Sequence, residues 1–99
     1  MRCAPPRRLV KIATALGDEL RLRILRELAG SEYTASELST RLGVERTSLH
    51  HHLGILRSAG LISARAEGLQ SWRYTRRPDG IHEASDGLQR YLDSERDDR

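Results

Sequence analysis

The sequence has few aromatic residues, a single cysteine and no long apolar run. It contains no phenylalanine, and aromatics make up only 4% of its 99 residues, so any core must be aliphatic. The lone Cys3 excludes an intramolecular disulfide, as is usual in a reducing cytoplasm. No apolar run approaches the roughly 18 residues of a membrane span, and the start "MRCAPPRRLV" lacks a signal-peptide core. We therefore expect a cytoplasmic protein without a membrane partner.

Charge, in contrast, is abundant and unevenly distributed. The chain has 17 Lys and Arg against 14 Asp and Glu, a net charge of +3. Residues 1–77 carry 14 basic and 7 acidic side chains, whereas residues 78–99 carry 3 and 7. A basic body favours a polyanionic partner, and an uneven but inert surface is the alternative.

Apolar residues repeat at helical spacing in the first third of the chain. The stripe that begins at Leu9 predicts a helix over residues 7–17. Asp18 is a suitable N-cap for a second helix, which should stop at Gly30.

Residues 34–59 have the pattern of two helices joined by a tight turn. Thr34 and Glu37 have capping-box spacing, so a short helix should begin after Thr34. Gly43 is a natural residue to end it, and a second periodic segment with leucines on one face follows almost at once. Two helices joined this closely form a helix-turn-helix.

After Gly60 the apolar pattern changes from helical spacing to alternation. Residues 61–76 therefore predict a β-hairpin. The hairpin should end at Pro78, and apolar spacing predicts a last helix over residues 81–95. The expected fold class is mainly α with one small β-hairpin, a single domain over residues 1–99 in the order α-α-α-α-β-β-α.

Three consecutive histidines, His50 to His52, lie in the predicted fourth helix. Successive helical residues are about 100° apart, so three adjacent imidazoles fan out and cannot converge on one metal ion. His52 falls at the edge of the leucine face, where we expect a partly buried side chain with a hydrogen-bond partner. His50 and His51 point outward with Thr47, at positions that read base edges when such a helix enters a major groove. Gly54 lies on the same outward face and allows close approach to a backbone.

Several segments, taken in order, resemble the winged helix-turn-helix of the ArsR/SmtB family of bacterial repressors. The matching pieces are "LGDELRLRIL", "ASELSTRLGV", "SLHHHLGILRSAGLI" and "GLQSWRYT", within a resemblance that covers about residues 9–77. Each piece alone is a weak signal, but their order and spacing together are specific. The resemblance implies a sequence-specific DNA-binding transcriptional regulator, expected to be a repressor of a palindromic operator.

The resemblance also implies which residues contact double-stranded DNA. The recognition helix and the two strands of the wing supply the candidates Arg46, Thr47, Ser48, His50, His51, Arg65, Gln70 and Arg73. Simple surface exposure is the alternative for each of them. Trp72 and Tyr74 are expected to pack within the hairpin, because a duplex offers no unstacked bases.

The family further implies a homodimer held together by the helices over 7–17 and 81–95. Both helices carry apolar stripes that a partner could cover. The candidate interface residues are Leu9, Ile12, Leu16, Ile81, Ala84, Leu88 and Tyr91. Packing within the chain is the alternative for each of these residues.

The sequence departs from the metal-sensing members of the family. One known metal site uses a Cys-x-Cys motif on the third helix, where this chain reads "ASELSTRL". A second site uses more histidines on the last helix than are present here. We therefore expect no cofactor, with Cys3, His82 and Asp86 as weak metal candidates and the effector left open.

Two other classes of function are weaker hypotheses. The winged helix could serve as a protein-interaction module and belong to a longer protein. An enzyme is not expected, because the sequence has no Gly-rich phosphate loop, no paired carboxylates and no supported Ser-His-Asp arrangement.

Overall fold

In the computed structural model, which describes residues 4–94, five helices pack with a small antiparallel sheet. The helices are α1 (Arg7–Leu16), α2 (Glu19–Glu27), α3 (Ala35–Leu42), α4 (Arg46–Ser58) and α5 (Pro78–Asp93). The strands are β1 (Tyr33–Thr34), β2 (Ile62–Ala66) and β3 (Trp72–Arg76), in the spatial order β1-β3-β2. The mainly helical fold with a β2–β3 hairpin, the wing, confirms the predicted fold class.

The caps predicted from the sequence begin α2 and α3. The Asp18 carboxylate accepts a hydrogen bond from the Arg21 backbone amide at 3.1 Å. Thr34 and Glu37 form the reciprocal capping box, with hydrogen bonds of 3.2 and 2.9 Å. Gly43 then adopts a left-handed conformation with φ of 71°, which permits the tight turn into α4.

The helix α4 supplies the centre of the core. Leu49, Leu53 and Leu56 lie on one face and are at most 1% exposed. Ile24 of α2 and Leu38 of α3 are fully buried in the same cluster. Each buried leucine stabilises the fold by about 2 kcal/mol. This packing fixes the rotation of α4 and so determines which of its residues face solvent.

The short strand β1 was not predicted. Its two residues pair with the wing, Tyr33 opposite Tyr74 and Thr34 opposite Arg73. Two residues cannot show a period-2 alternation, so this strand has no detectable pattern in the sequence. It ties the wing to the N-terminus of α3.

The last helix begins three residues earlier than predicted. Pro78 lies in the first turn of α5. No backbone amide is needed for a helical hydrogen bond at that position, and the fixed φ of proline suits the helix. The prediction took this proline only as the end of the hairpin. Gly80 is buried in that first turn, and a Cβ there would overlap the carbonyl oxygen of Gly60. The start of α5 therefore packs directly on the backbone of the turn between α4 and β2.

Candidate nucleic-acid interface

A row of polar side chains covers the N-terminal half of α4. Its members, all exposed, are Arg46, Thr47, Ser48, His50 and His51. The buried leucines on the opposite face hold this row outward, and the short turn after α3 leaves the first turn of α4 uncovered. Within residues 4–94, Arg46 makes no ion pair, so its guanidinium is available to an anion. We call these five residues the recognition row.

The third histidine is separated from this row, as predicted. The side chain of His52 is 17% exposed, and its Nδ1 lies 3.0 Å from Nη1 of Arg21. Because a guanidinium can only donate, Nδ1 of His52 is the acceptor of this hydrogen bond. The His51 ring meets the His52 ring edge-on at 5.3 Å. The expectation of a partly buried His52 with a hydrogen-bond partner is confirmed.

The partner of His52 is a buried arginine that the sequence did not single out. Arg21 is 8% exposed. Its Nε donates to the carbonyl oxygen of Ala15 at 2.8 Å, and its Nη2 donates to that of Thr14 at 3.1 Å. These carbonyls belong to the last turn of α1, where the amides four residues further on are no longer helical partners. One guanidinium thus connects the C-terminus of α1 to the middle of α4.

Asp18 completes this network from the N-terminus of α2. Its Oδ2 lies 3.8 Å from Nδ1 of His52. The hydrogen bond from the Arg21 backbone amide, helped by the charge of Arg21, holds the pKa of Asp18 below its usual value. The carboxylate therefore stays ionised beside two nitrogen-bearing side chains, and it balances the positive charge of Arg21.

The two predicted arginines of the wing are paired with carboxylates. Arg65 and Arg73 lie directly opposite each other on β2 and β3, where like charges repel. Glu32 accepts from Arg65 at 2.8 Å, and Glu67 accepts from Arg73 at 3.1 Å. The hydrogen bond with Glu67 also raises the pKa of Arg73. The structure thus gives both arginines a bracing role within the chain.

The tip of the wing is exposed to solvent and includes one apolar residue that the sequence analysis did not name. Gln70, a predicted contact, is exposed there. Its neighbour Leu69 is 100% exposed. An apolar side chain at the end of a turn has no periodic signal, so the sequence did not point to it.

Of the two aromatic residues of the wing, Tyr74 packs in the core as predicted, whereas Trp72 stays at the surface. Tyr74 is buried at 8% exposure, whereas Trp72 remains 44% exposed. The guanidinium of Arg57, near the C-terminus of α4, lies over the Trp72 ring at 5.6 Å from its centroid. This contact couples the position of the wing to that of the recognition helix.

The structure distributes the predicted dimer residues between the core and the surface. Leu9, Ile12 and Ala84 are buried within the chain by the packing of α1 on α5. The partly buried residues are Leu16, Ile81 and Tyr91. Leu88 is the one residue of the predicted set that is exposed, with 44% of its surface accessible to solvent. Packing within the chain therefore accounts for much of both stripes, and a partner would meet chiefly the outer side of α5.

The predicted metal candidates do not gather into a site in the described region. His82 and Asp86 are both exposed on α5. Residues 4–94 contain no group of three or more His, Cys, Asp or Glu side chains able to hold a metal ion. Cys3 lies outside the described residues. Among the helices described, none is long and apolar enough to span a bilayer.

A helix-turn-helix with an outward polar row, followed by a hairpin wing, defines a winged-helix protein of the nucleic-acid-binding class. A family model described as "Bacterial regulatory protein, arsR family" matches residues 18–64. An ArsR-like transcriptional regulator from Rhodococcus sp. RHA1 has a similar structure, with a TM-score of 0.78 and 34% identity, over 93% of this chain and 85% of that one. The chain belongs to the ArsR family of bacterial regulatory proteins, a family of transcriptional regulators and not of enzymes.

Two curated relatives show both directions of regulation. The transcriptional activator HlyU of Vibrio cholerae is 40% identical over 58 residues, which are 59% of this chain and 54% of HlyU. The transcriptional repressor SdpR of Bacillus subtilis is 35% identical over 54 residues, 54% of this chain and 60% of SdpR. The alignments thus span little more than half the length of these two relatives.

Proposed function

We propose that this chain is a sequence-specific DNA-binding transcriptional regulator, acting as a repressor in the cytoplasm. The observation that carries the proposal is the recognition row, exposed on α4 opposite three buried leucines. Thr47, Ser48, His50 and His51 supply short hydrogen-bonding groups for base edges in a major groove. Arg46 contacts phosphate or base at the start of the helix.

The wing contributes a smaller and differently placed contact. Gln70, at the exposed tip, is the wing residue that we assign to the minor groove or a phosphate. Arg65 and Arg73 act mainly by holding the hairpin, because glutamates already neutralise their charges. DNA binding therefore depends on the wing for position more than for charge.

We further propose a homodimer on a palindromic operator. Two recognition helices would then meet half-sites about 34 Å apart or at a multiple of that spacing. Leu88 and Leu92 lie one turn apart on α5 and are 44% and 60% exposed, so they offer an apolar strip to a second copy. In such a dimer Leu9, Ile12 and Ala84 would stay buried within each chain and hold α5 in place.

The DNA-binding proposal is tested by selecting duplexes from genomic fragments with the full chain. We expect an enriched inverted repeat, bound with an affinity that falls steeply as salt rises. Selection of no common sequence would contradict the proposal. If the chain binds another protein and selects no DNA sequence, the hypothesis of a protein-interaction module is favoured.

The role of the recognition row is tested on the selected duplex. Thr47→Ala with His51→Ala should weaken binding about tenfold or more, because each base contact contributes about 1–3 kcal/mol of discrimination. The matched control is Thr40→Ala with His82→Ala, the same exposed residue types on α3 and α5. Equal binding by both double variants would show that the row does not read bases.

The dimer is tested by Leu88→Glu and sedimentation at equal protein concentration. We expect the variant to shift to the mass of a monomer, since a carboxylate cannot be buried without a partner. Leu22→Glu is the control, because Leu22 is 50% exposed on α2. A wild-type chain that sediments as a monomer, or a Leu88→Glu variant that remains dimeric, would remove this interface.

A further inference from the structure

We propose that the DNA contact extends beyond the helix-turn-helix to α1. The sugar–phosphate backbone of the bound duplex would lie in a groove between α1 and α4, with Lys11 contacting a phosphate. This inference rests on the proposed function and deepens it, because it assigns a DNA contact outside both the recognition row and the wing.

The groove lies between the outer faces of the two helices and is open to solvent. Its lining includes the exposed residues Lys11, Thr14, His50, His51, Gly54 and Ser58. From Lys11 and Ser58 a second open region continues to Arg7 and Arg77. The groove therefore begins at the recognition row and leads away from it along basic side chains.

Gly54 forms the floor of this groove without a reason inside the chain. Apart from its chain neighbours and the nearby backbone of α4, a Cβ built at Gly54 would meet no described atom within 4 Å, whereas one at Gly80 would overlap the backbone of Gly60. A glycine in the middle of a helix weakens it relative to alanine. Gly54 lies three residues after His51 and four after His50, on the same face. A close approach by another molecule, next to the recognition row, explains why this position has no side chain.

The charges around the groove favour a polyanion over a protein segment. Lys11, Arg7 and Arg77 are exposed along it. The carboxylate that lines the second region, Glu83, accepts a hydrogen bond at 3.0 Å from Arg8, which lines the same region. Among residues 4–94, no carboxylate forms an ion pair with Lys11, Arg7 or Arg77. A lysine ammonium, a mobile point charge on a flexible stem, suits a phosphate whose position varies little with sequence.

The test compares Lys11→Gln with wild type on the selected operator and on a scrambled duplex, across a series of salt concentrations. Loss of one phosphate contact should lower the slope of log affinity against log salt by about 0.9 for each bound chain. Binding to the operator and to the scrambled duplex should weaken by the same factor, because a phosphate contact carries no sequence information. Arg26→Gln, an exposed cation on α2, is the charge-matched control and should leave the slope unchanged.

A second variant tests the floor of the groove. Gly54→Ala should raise the urea midpoint of the free protein and yet weaken its binding to DNA, because the new methyl group occupies the space of the backbone. A wild-type slope for Lys11→Gln, or undiminished DNA binding by Gly54→Ala, overturns the inference while the proposed function stands. A wild-type chain that binds no DNA overturns the proposed function itself, and the inference with it.

Discussion

Replacing Arg21 by leucine removes the guanidinium that connects α1 to α4. The residue is 8% exposed and donates three hydrogen bonds, to Ala15, Thr14 and His52. The Thr14 carbonyl oxygen keeps a second donor, the amide of Gly17 at 3.2 Å, so the loss falls on the other two acceptors. Hydrogen bonds to a charged group contribute about 1.5–3 kcal/mol each, and leucine restores part of the apolar contact. We therefore expect Arg21→Leu to lower the free energy of unfolding by about 3 kcal/mol.

Urea denaturation at neutral pH measures this loss. Arg26→Leu is the control, because Arg26 is exposed on the same helix and should change stability by less than about 1 kcal/mol. Arg21→Lys should fall between the two, since an ammonium keeps the charge but cannot reach three acceptors at once. If Arg21→Leu loses no more than Arg26→Leu, the three hydrogen bonds do not stabilise the fold and the reasoning is wrong.

The remaining predictions concern a cap, a close backbone contact and the wing. A backbone hydrogen bond lowers the pKa of Asp18, so its contribution is present above about pH 4 and is lost as pH falls through the lower folded pKa. Asp18→Asn should consequently lose less stability than wild type in urea titrations between about pH 5 and about pH 2. Gly80→Ala should destabilise the chain by about 2 kcal/mol through overlap with a backbone oxygen, whereas Gly87→Ala, with ordinary space for its Cβ, should not. Arg73→Gln should lower the thermal midpoint but leave the salt slope of DNA binding unchanged, because Glu67 already neutralises that arginine; a reduced slope would make it a phosphate contact.

The parts of the fold that sequence predicted well depend on local chemistry. Asp18 and Thr34 cap helices with their own side chains, and Gly43 takes the left-handed conformation that ends α3. Each of these signals acts within four residues, so the chain displays it without any tertiary contact. The leucines of α4 add a periodic signal long enough to fix which face is buried, and this is why His52 could be separated from His50.

The parts that sequence missed depend on contacts between distant segments. Arg21 precedes the buried Ile24 and Leu25 by three and four residues, so helical spacing alone places it on the apolar face of α2. The segment itself does not show the acceptors that allow a charged side chain to be buried there. Arg21 is buried because the end of α1 and His52 of α4 supply acceptors there. The ion pairs of Arg65 and Arg73 have the same origin, since Glu32 and Glu67 meet them only after the hairpin has formed.

The dimer residues show a different limit, which lies in periodicity itself. An apolar stripe identifies a face that must be covered but does not say by which chain. The packing of α1 on α5 buries Leu9, Ile12 and Ala84. Leu88 and Leu92 stay exposed on the outer side of α5. A dimer interface that used the whole predicted stripe would have to separate α1 from α5. An interface on the outer side of α5 would bury further apolar surface and leave the packing of α1 on α5 intact. We therefore expect a second copy to dock on the outer side of α5, with α1 and its basic outer face remaining free for DNA.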